Sequence, residues 1–312
     1  MKIMVIGHLC LDVIHLPAEE GGKEVQSFGG ITYTLLTLAN LVSPQDTILP
    51  VFGVGANEYD GLMDLLSRYP GIDRSGIFQM NRPTNHVHLF YESNGQRVEC
   101  SKEISDPIPF EKIKPFLSTD GVLINMVSGF DITLETLDHI RMEVRDRGTP
   151  IHFDFHSLTL GVDRNEKRFR RPLTDWRRWC FMINSIQMSE VEAHGLTAER
   201  LDEPRLVNQL MPLMVNALIV TRGDRGLTLV EQHNKKLERH EIAGVSTQAV
   251  DPTGCGDVFG AAFLAHYLKE KNYRTAALFA NEAAAFKASF SGLEGLDRLK
   301  EEAFPPAAGG YQ

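Results

Sequence analysis

Asp251-Pro252-Thr253-Gly254-Cys255-Gly256-Asp257 runs straight into the apolar, small-residue stretch Val258-Phe259-Gly260-Ala261-Ala262-Phe263-Leu264-Ala265. Two glycines flank one small residue directly ahead of a helical pattern. Glycine tolerates positive φ and lets a backbone approach a ligand closely. The free N–H groups of a helix start, together with the macrodipole, form an anion site. Gly260, Ala261 and Ala262 keep the first turns thin, so that this helix can pack close to a sheet. Asp257 stands in the first turn, where an acid is ordinary as a cap or dipole partner. Facing an anion loop, however, a carboxylate repels the anion unless it holds a hydroxyl and takes its proton. In phosphoryl transfer through a loose transition state the proton leaves late, and a carboxylate of ordinary basicity suffices. The residues alone leave both readings of Asp257 open.

Outward from this stretch, strands alternate with helices. Lys2–Gly7, Ile48–Val54, Val122–Asn125, Ile151–Phe155, Phe181–Asn184 and Ala217–Thr221 read as short apolar strands. Helical spacing covers Ile31–Val42, Glu58–Arg68, Thr133–Arg147 and Leu201–Val215. The alternation predicts an α/β fold, a doubly wound, mostly parallel sheet with helices on both faces. Two stretches break it. His86–Tyr91 and Arg97–Ser101 flank Ser93-Asn94-Gly95, a hairpin turn signal. Val13–Leu16 and Glu24–Phe28 form a similar pair around Gly21-Gly22. These pieces are expected to make a small inserted β-lid from about residues 11–28 and 85–104 on a single domain spanning residues 1–312. The small-residue stripe Ala276, Ala277, Ala280, Ala283, Ala284 reads as a tightly packed core helix beside the Asp257 helix.

Hydrophobic residues at 43% and charged residues at 23% match ordinary soluble globular usage. A net charge of −9 speaks against a nucleic-acid partner, which requires a surplus of Lys and Arg on some face. The four cysteines have no C-x-x-C spacing that would suggest zinc or a redox pair. The apolar start MKIMVIGHLCLDVI is interrupted by His8 and Asp12 and lacks a cleavage site. No leader and no membrane span are expected, and the address expected is cytoplasmic. Gly53-Val54-Gly55 lacks the third glycine of a dinucleotide fingerprint, and neither a GxxxxGK[ST] loop nor an HRD–DFG pair occurs.

The run DPTGCGDVFGAAF resembles the carboxy-terminal motif of the ribokinase-like, phosphofructokinase-B-type carbohydrate kinases. The resemblance implies that the N–H groups of Gly254, Cys255 and Gly256 stabilise the transferred phosphoryl and that Asp257 is the catalytic base. IGHLCLD resembles the family's first strand, implying that Asp12 binds substrate hydroxyls. Phe28-Gly29-Gly30 resembles its substrate loop, with Thr34 where an Asn is usual. VFGVGANEYDG is similar to another family strand and turn, with Asn57 where Asp is usual. Val220–Gly226 is similar to the nucleotide-phosphate turn, implying nucleotide contacts from Thr221, Gly223 and Gly226, and Asn281 falls where the adenine pocket is lined. Ser189-x-x-Glu192 stands for the family's Asn-x-x-Glu, implying that Glu192 orders water around magnesium. A strand-end Asp on the substrate side is matched by Asp154. Implied cofactors are ATP and Mg2+, with a monovalent cation such as K+ near Asp251 and Thr253. Implied partners are ATP and a small sugar-like alcohol, with the lid also serving as a homodimer surface. A nucleoside or vitamin-like alcohol is an alternative substrate, and a catalytically silent binding protein is the alternative that Thr34 and Ser189 motivate.

Three further features have local readings. His152, Asp154 and His156 alternate on one strand face, which suits a metal, although no fourth ligand can be nominated. Arg164, Lys167, Arg168, Arg170, Arg171, Arg177 and Arg178 read as a solvated face, the alternative being that one of them holds an anionic substrate group. Cys255, at a helix start, is expected to be a reactive thiol.

Overall fold

The computed structural model describes residues 1–15, 24–91, 97–234 and 236–304. The strands are β1 (Lys2–Ile6), β2 (Leu9–His15), β3 (Glu24–Gly30), β4 (Thr47–Gly55), β5 (Ile77–Met80), β6 (Asn85–Tyr91), β7 (Arg97–Lys102), β8 (Gly121–Asn125), β9 (Ile151–Asp154), β10 (Leu160–Val162), β11 (Arg168–Arg170), β12 (Ser185–Ser189), β13 (Ala217–Thr221), β14 (Leu227–His233) and β15 (Lys236–Ile242). The helices are α1 (Ile31–Leu41), α2 (Ala56–Ser67), α3 (Phe110–Ile113), α4 (Leu134–Arg145), α5 (Trp176–Cys180), α6 (Glu190–Gly195), α7 (Glu203–Leu210), α8 (Cys255–Glu270), α9 (Tyr273–Ala288) and α10 (Leu299–Glu302).

Nine of these strands form one sheet in the order β15-β14-β13-β12-β9-β8-β1-β4-β5. Every pair from β13 to β5 is parallel, and β14 and β15 add antiparallel at the far edge. Every residue of β8 and β9 is buried, as a sheet covered on both faces requires. Ile3, Met4, Val5 and Ile6 of β1 are fully buried for the same reason, so that strand reads as an unbroken apolar run. Helix α8 packs over β8 and β9 and also meets both α1 and α9. Ala276, Ala277, Ala280 and Ala283 are all fully buried where α9 meets α8, as the stripe predicts, while its fifth member, Ala284, is only half-buried. Among the described residues no helix is long and apolar enough to cross a membrane.

The lid is a separate sheet in the order β3-β2-β6-β7. Two antiparallel pairs, β2–β3 and β6–β7, join through a parallel β2–β6 contact. Both expected turns, at Gly21-Gly22 and Ser93-Asn94-Gly95, lie outside the described residues. Gly30 joins the lid to α1 at a φ of +56°, where a Cβ would strike Val127.

Phe181–Asn184 is not a strand; the strand lies just beyond it, in β12. Phe181 is exposed and Met182 adopts φ +56°, a turn that follows the short α5. The apolar run in that segment belongs to this turn. Ser185 and Gln187 hide the true strand by interrupting its apolar pattern, because its polar positions serve a buried network described below. The Leu201–Val215 helix is also shorter than expected. It ends at Leu210, passes into a 3-10 turn containing Pro212, and stops at Met214 with φ +64°. Proline cannot donate within a helix, which explains the early end. The ribbon β10–β11 was not foreseen. It docks on the lid through a Cys100–Lys167 bridge and the Ser101 N–H to Glu166 carbonyl bond.

Candidate active site

Gly254 precedes α8 with φ +80°, and a Cβ there would fall 2.5 Å from the ring of Tyr33. Only glycine fits this corner, which starts the 16-residue helix, where the Cys255 N–H donates to the Pro252 carbonyl at 3.2 Å. Asp257 follows in that turn, 5% exposed. Asn125, at the carboxyl end of β8, donates from Nδ2 to Asp257 and, at 3.4 Å, to Thr34 Oγ1 on α1. Burial pushes the Asp257 carboxyl above its ordinary value, against His156, Asn125 and Lys287, which favour the ionised form.

Helix α8 comes close to the sheet because residue 260 has no side chain. A Cβ at Gly260 would lie 3.1 Å from Gln187 Oε1 and 3.3 Å from His152 Nε2. Gln187 Nε2 donates to the Gly256 carbonyl at 2.9 Å and to Asp154 Oδ2 at 3.3 Å, and so ties the anion loop to the strand ends. His152 bonds Ser185 and Gln187 through its two ring nitrogens, and burial lowers its pKa to about 4. It is a neutral spacer beneath α8. Among the described residues, the His, Cys, Asp and Glu side chains grouped closely enough for a metal are Glu231, Glu238 and His240 on the β14–β15 edge, not the 152–156 triplet.

Asp154 is buried, its Oδ1 accepting the His156 N–H at 3.2 Å, and burial raises its carboxyl well above the ordinary value. His156 takes φ +39°, a conformation uncommon outside glycine. Burial alone would lower its pKa, but Asp257, Asp154, Glu192 and Glu99 outweigh that and raise it. His156 therefore stands among carboxylates that favour its protonated form. Glu192 closes the α6 capping box through Ser189, so Ser189 serves the helix start in the structure.

On the lid side, Asp12 is buried on β2, and Cys10 Sγ donates to it at 3.3 Å. Gly29 on the paired strand lies so close that any Cβ would collide with the Asp12 carboxylate. Burial and the charges of Asp12, Asp251 and Asp257 all raise the Tyr33 hydroxyl, so Tyr33 sits between the lid strand and the anion loop.

A cleft of about 560 Å³ opens beside the loop. Thr221, Gly223, Gly226 and Asn281, drawn from distant parts of the chain, line it together with Cys255 and Gly256. Gly223 and Gly226 have φ +60° and +89°. Asn281 donates to the Ala243 carbonyl at 2.8 Å. Asp251 Oδ1 accepts the Thr253 N–H at 2.9 Å, an Asx turn that shapes the loop. The Asp251 carbonyl accepts from Lys287 Nζ at 3.3 Å.

Two expectations change. Cys255 is partly buried, and burial with Asp251 and Asp257 outweighs Lys287 to push its thiol up to about 11, so it is not an activated thiol. The basic segment is a solvated face except for Arg168. That side chain is buried, donates to Ser101 Oγ at 2.7 Å and the Ser128 carbonyl at 2.8 Å, and faces Glu99. It is committed to bracing the lid. The sequence reading missed Asn125 and took His156 for a possible metal ligand; the available signal was their place at or just beyond the carboxyl ends of central parallel strands, where open α/β sheets bind ligands.

Residues 170–296 match the pfkB family carbohydrate kinase model. A cytidine kinase of Thermococcus kodakarensis is 22% identical over 273 residues, spanning 86% of this chain and 88% of that protein. A ribokinase of Arabidopsis thaliana is 25% identical over 251 residues, 76% of this chain and 62% of that one. The fold is similar to that of a ribokinase from Thermotoga maritima, with a TM-score of 0.75 at 20% identity over 98% of this chain and 100% of that one. A pyrophosphate-dependent kinase in the ribokinase family, in a sulfate complex, superposes with a TM-score of 0.79 at 18% identity over 97% of this chain and 100% of that one. The Gly-Cys-Gly-Asp corner lies inside the segment that matches the pfkB family carbohydrate kinase model, and the chain as a whole shares the fold of these ribokinases.

Proposed function

We propose that the protein transfers the γ-phosphoryl group of ATP to a hydroxyl of a small sugar or sugar-like alcohol. The observation that carries this reading is the placement of Asp257, held by Asn125, at the end of an anion loop that also floors the cleft lined by Thr221, Gly223, Gly226 and Asn281. In it, the N–H groups at Gly254, Cys255 and Gly256 face the charge that builds on the transferred group. The acceptor hydroxyl lies against Asp257, which takes its proton as the bond to phosphorus forms. Asp12, Gly29, Gly30 and Asp154 hold the other hydroxyls, and Thr34 acts through Asn125. Asn125 Oδ1 is buried without a partner among the described residues, an acceptor suited to the same hydroxyl.

The acids near the loop suit a divalent cation. Glu192 is close enough to act on Asp154 and His156, so it would hold magnesium through water, and bound magnesium would neutralise donor phosphates. The apolar walls Leu227, Phe259 and Ala284 leave room for a base beyond the phosphates, which favours a nucleotide over pyrophosphate as donor. An enzyme drawing on ATP and free alcohols would work in the cytoplasm, and the lid remains the proposed homodimer surface.

ATP consumption against a panel of pentoses, hexoses, inositols and nucleosides tests the reading, with pyrophosphate as a parallel donor. Turnover with one acceptor and ATP is expected. Binding of panel members without any phosphoryl transfer would instead favour a silent binding protein.

A further inference from the structure

We infer that the ammonium of Lys287 occupies the position of a monovalent cation behind the anion loop, so that the charge an added potassium ion would bring is built into the chain. The inner face of α9 is otherwise alanine, with Ala276, Ala277, Ala280 and Ala283 fully buried. One turn further, at the same face, stands a lysine of 0% exposure. A cation removed from water is costly unless its donors are satisfied. Lys287 Nζ finds the carbonyl oxygens of Asp251 at 3.3 Å and Phe290 at 3.0 Å. The ring faces of Phe290 and Tyr33 lie 5.0 and 5.5 Å away.

Backbone carbonyls are the ligands that bind a dehydrated potassium ion, and an ammonium is close to that ion in size and charge. The site also lies where such an ion would act. Val250 and Asp251 donate their N–H groups to the Ala288 carbonyl at 2.7 and 3.1 Å, which fastens the loop to the end of α9. The positive charge reaches the loop, since it favours the ionised forms of both Cys255 and Asp257. A cation expected near Asp251 and Thr253 does not fit beside this arrangement. Its Asp251 carbonyl is already engaged, and a second positive charge would meet the first.

The position of the lysine stands on geometry; its consequence for donor binding rests on the function proposed above. Two measurements separate them. The free protein is melted in potassium, ammonium and tetramethylammonium chlorides at equal ionic strength. Wild type is expected to melt at one temperature in all three. Lys287→Ala is expected to melt several degrees lower in tetramethylammonium, with potassium and ammonium each restoring at least half of the loss. Potassium-specific stabilisation of wild type would overturn the inference, because the site would then still be open. So would an alanine variant that neither small cation restores, which would reduce Lys287 to a packing group. If Lys287→Ala does not fold, the wild-type comparison alone decides, and Lys287→Met repeats the rescue.

The second measurement is calorimetric titration with magnesium and a non-hydrolysable ATP analogue. Wild-type affinity should be indifferent to potassium, while Lys287→Ala should lose about tenfold and recover in potassium. A wild-type protein that binds no analogue contradicts the donor reading and leaves the melting result to stand on its own.

Discussion

Asn125 Nδ2 donates to the carboxylate of Asp257, joining the end of β8 to the first turn of α8 across 132 residues of chain. A hydrogen bond to a charged, buried group is worth roughly 1.5–3 kcal/mol, more than a neutral one. It fixes the direction in which Asp257 points. It also favours the ionised carboxylate against burial, which raises the Asp257 pKa.

Asp257→Asn should keep affinity for the nucleotide analogue within a few-fold and lower kcat by about 10³ or more, the scale of losing a positioned base. Single-turnover kinetics with the acceptor found in the panel, alongside calorimetry, would measure both. A variant retaining a tenth of wild-type turnover would show that another group takes the proton.

As the base in the proposed function, Asp257 acts in its ionised form, and burial raises its pKa, so kcat should fall as pH drops through that raised value. His156 favours the ionised carboxylate. Replacing it with glutamine removes a positive neighbour, favours the neutral acid, and should move the acid limb of the kcat–pH profile to higher pH. A limb that stays in place or moves down would remove His156 from the electrostatics of the base.

Gly29→Ala should act on the acceptor and not on the nucleotide. Its Cβ would enter the space of the Asp12 carboxylate on the paired strand, and that carboxylate has little room to move. The expected result is an acceptor KM raised about tenfold or more, with affinity for the nucleotide analogue unchanged. Equal losses on both sides would mean that the substitution disturbs the fold and not one subsite.

Cys255 should resist alkylation near neutral pH. With a thiol pKa of about 11, the reactive thiolate is on the order of 10⁻⁴ of the total there. Iodoacetamide labelling followed by peptide mass spectrometry should show a rate rising about tenfold per pH unit through the alkaline range. Fast labelling at neutral pH that ATP slows would show a more open and less acidic loop.

The sheet and the lid were legible in the sequence because their signals are local. β1, β4, β8, β9 and β13 are apolar runs of strand length, and hydrophobic periodicity marks the helices around them. The glycine corner before α8 was legible because Gly254, at φ +80°, is demanded by backbone geometry in a short span of chain. β12 was misplaced by a few residues because its inward positions, Ser185 and Gln187, are polar, and apolar patterning cannot find a strand whose buried face is a hydrogen-bond network. The function of Arg168 was hidden among its neighbours for a similar reason. A run of like charges gives no sign of which member is taken inside by Ser101 and Ser128.

The sequence by itself determined the layered α/β architecture, the glycine corner before α8 and Asp257 in its first turn. Only the tertiary structure decided what Asp257 meets. Asn125, the pair Asp154 and His156, and Lys287 come from three separate segments, and no spacing rule links those segments. Their charges also take effect through burial, which sequence does not report. The same thiol at a helix start is activated in water and silenced when desolvated beside carboxylates, and Cys255 falls on the silenced side. The lysine in an alanine stripe reads as a surface break until packing turns it inward, against the carbonyls of the loop it supports.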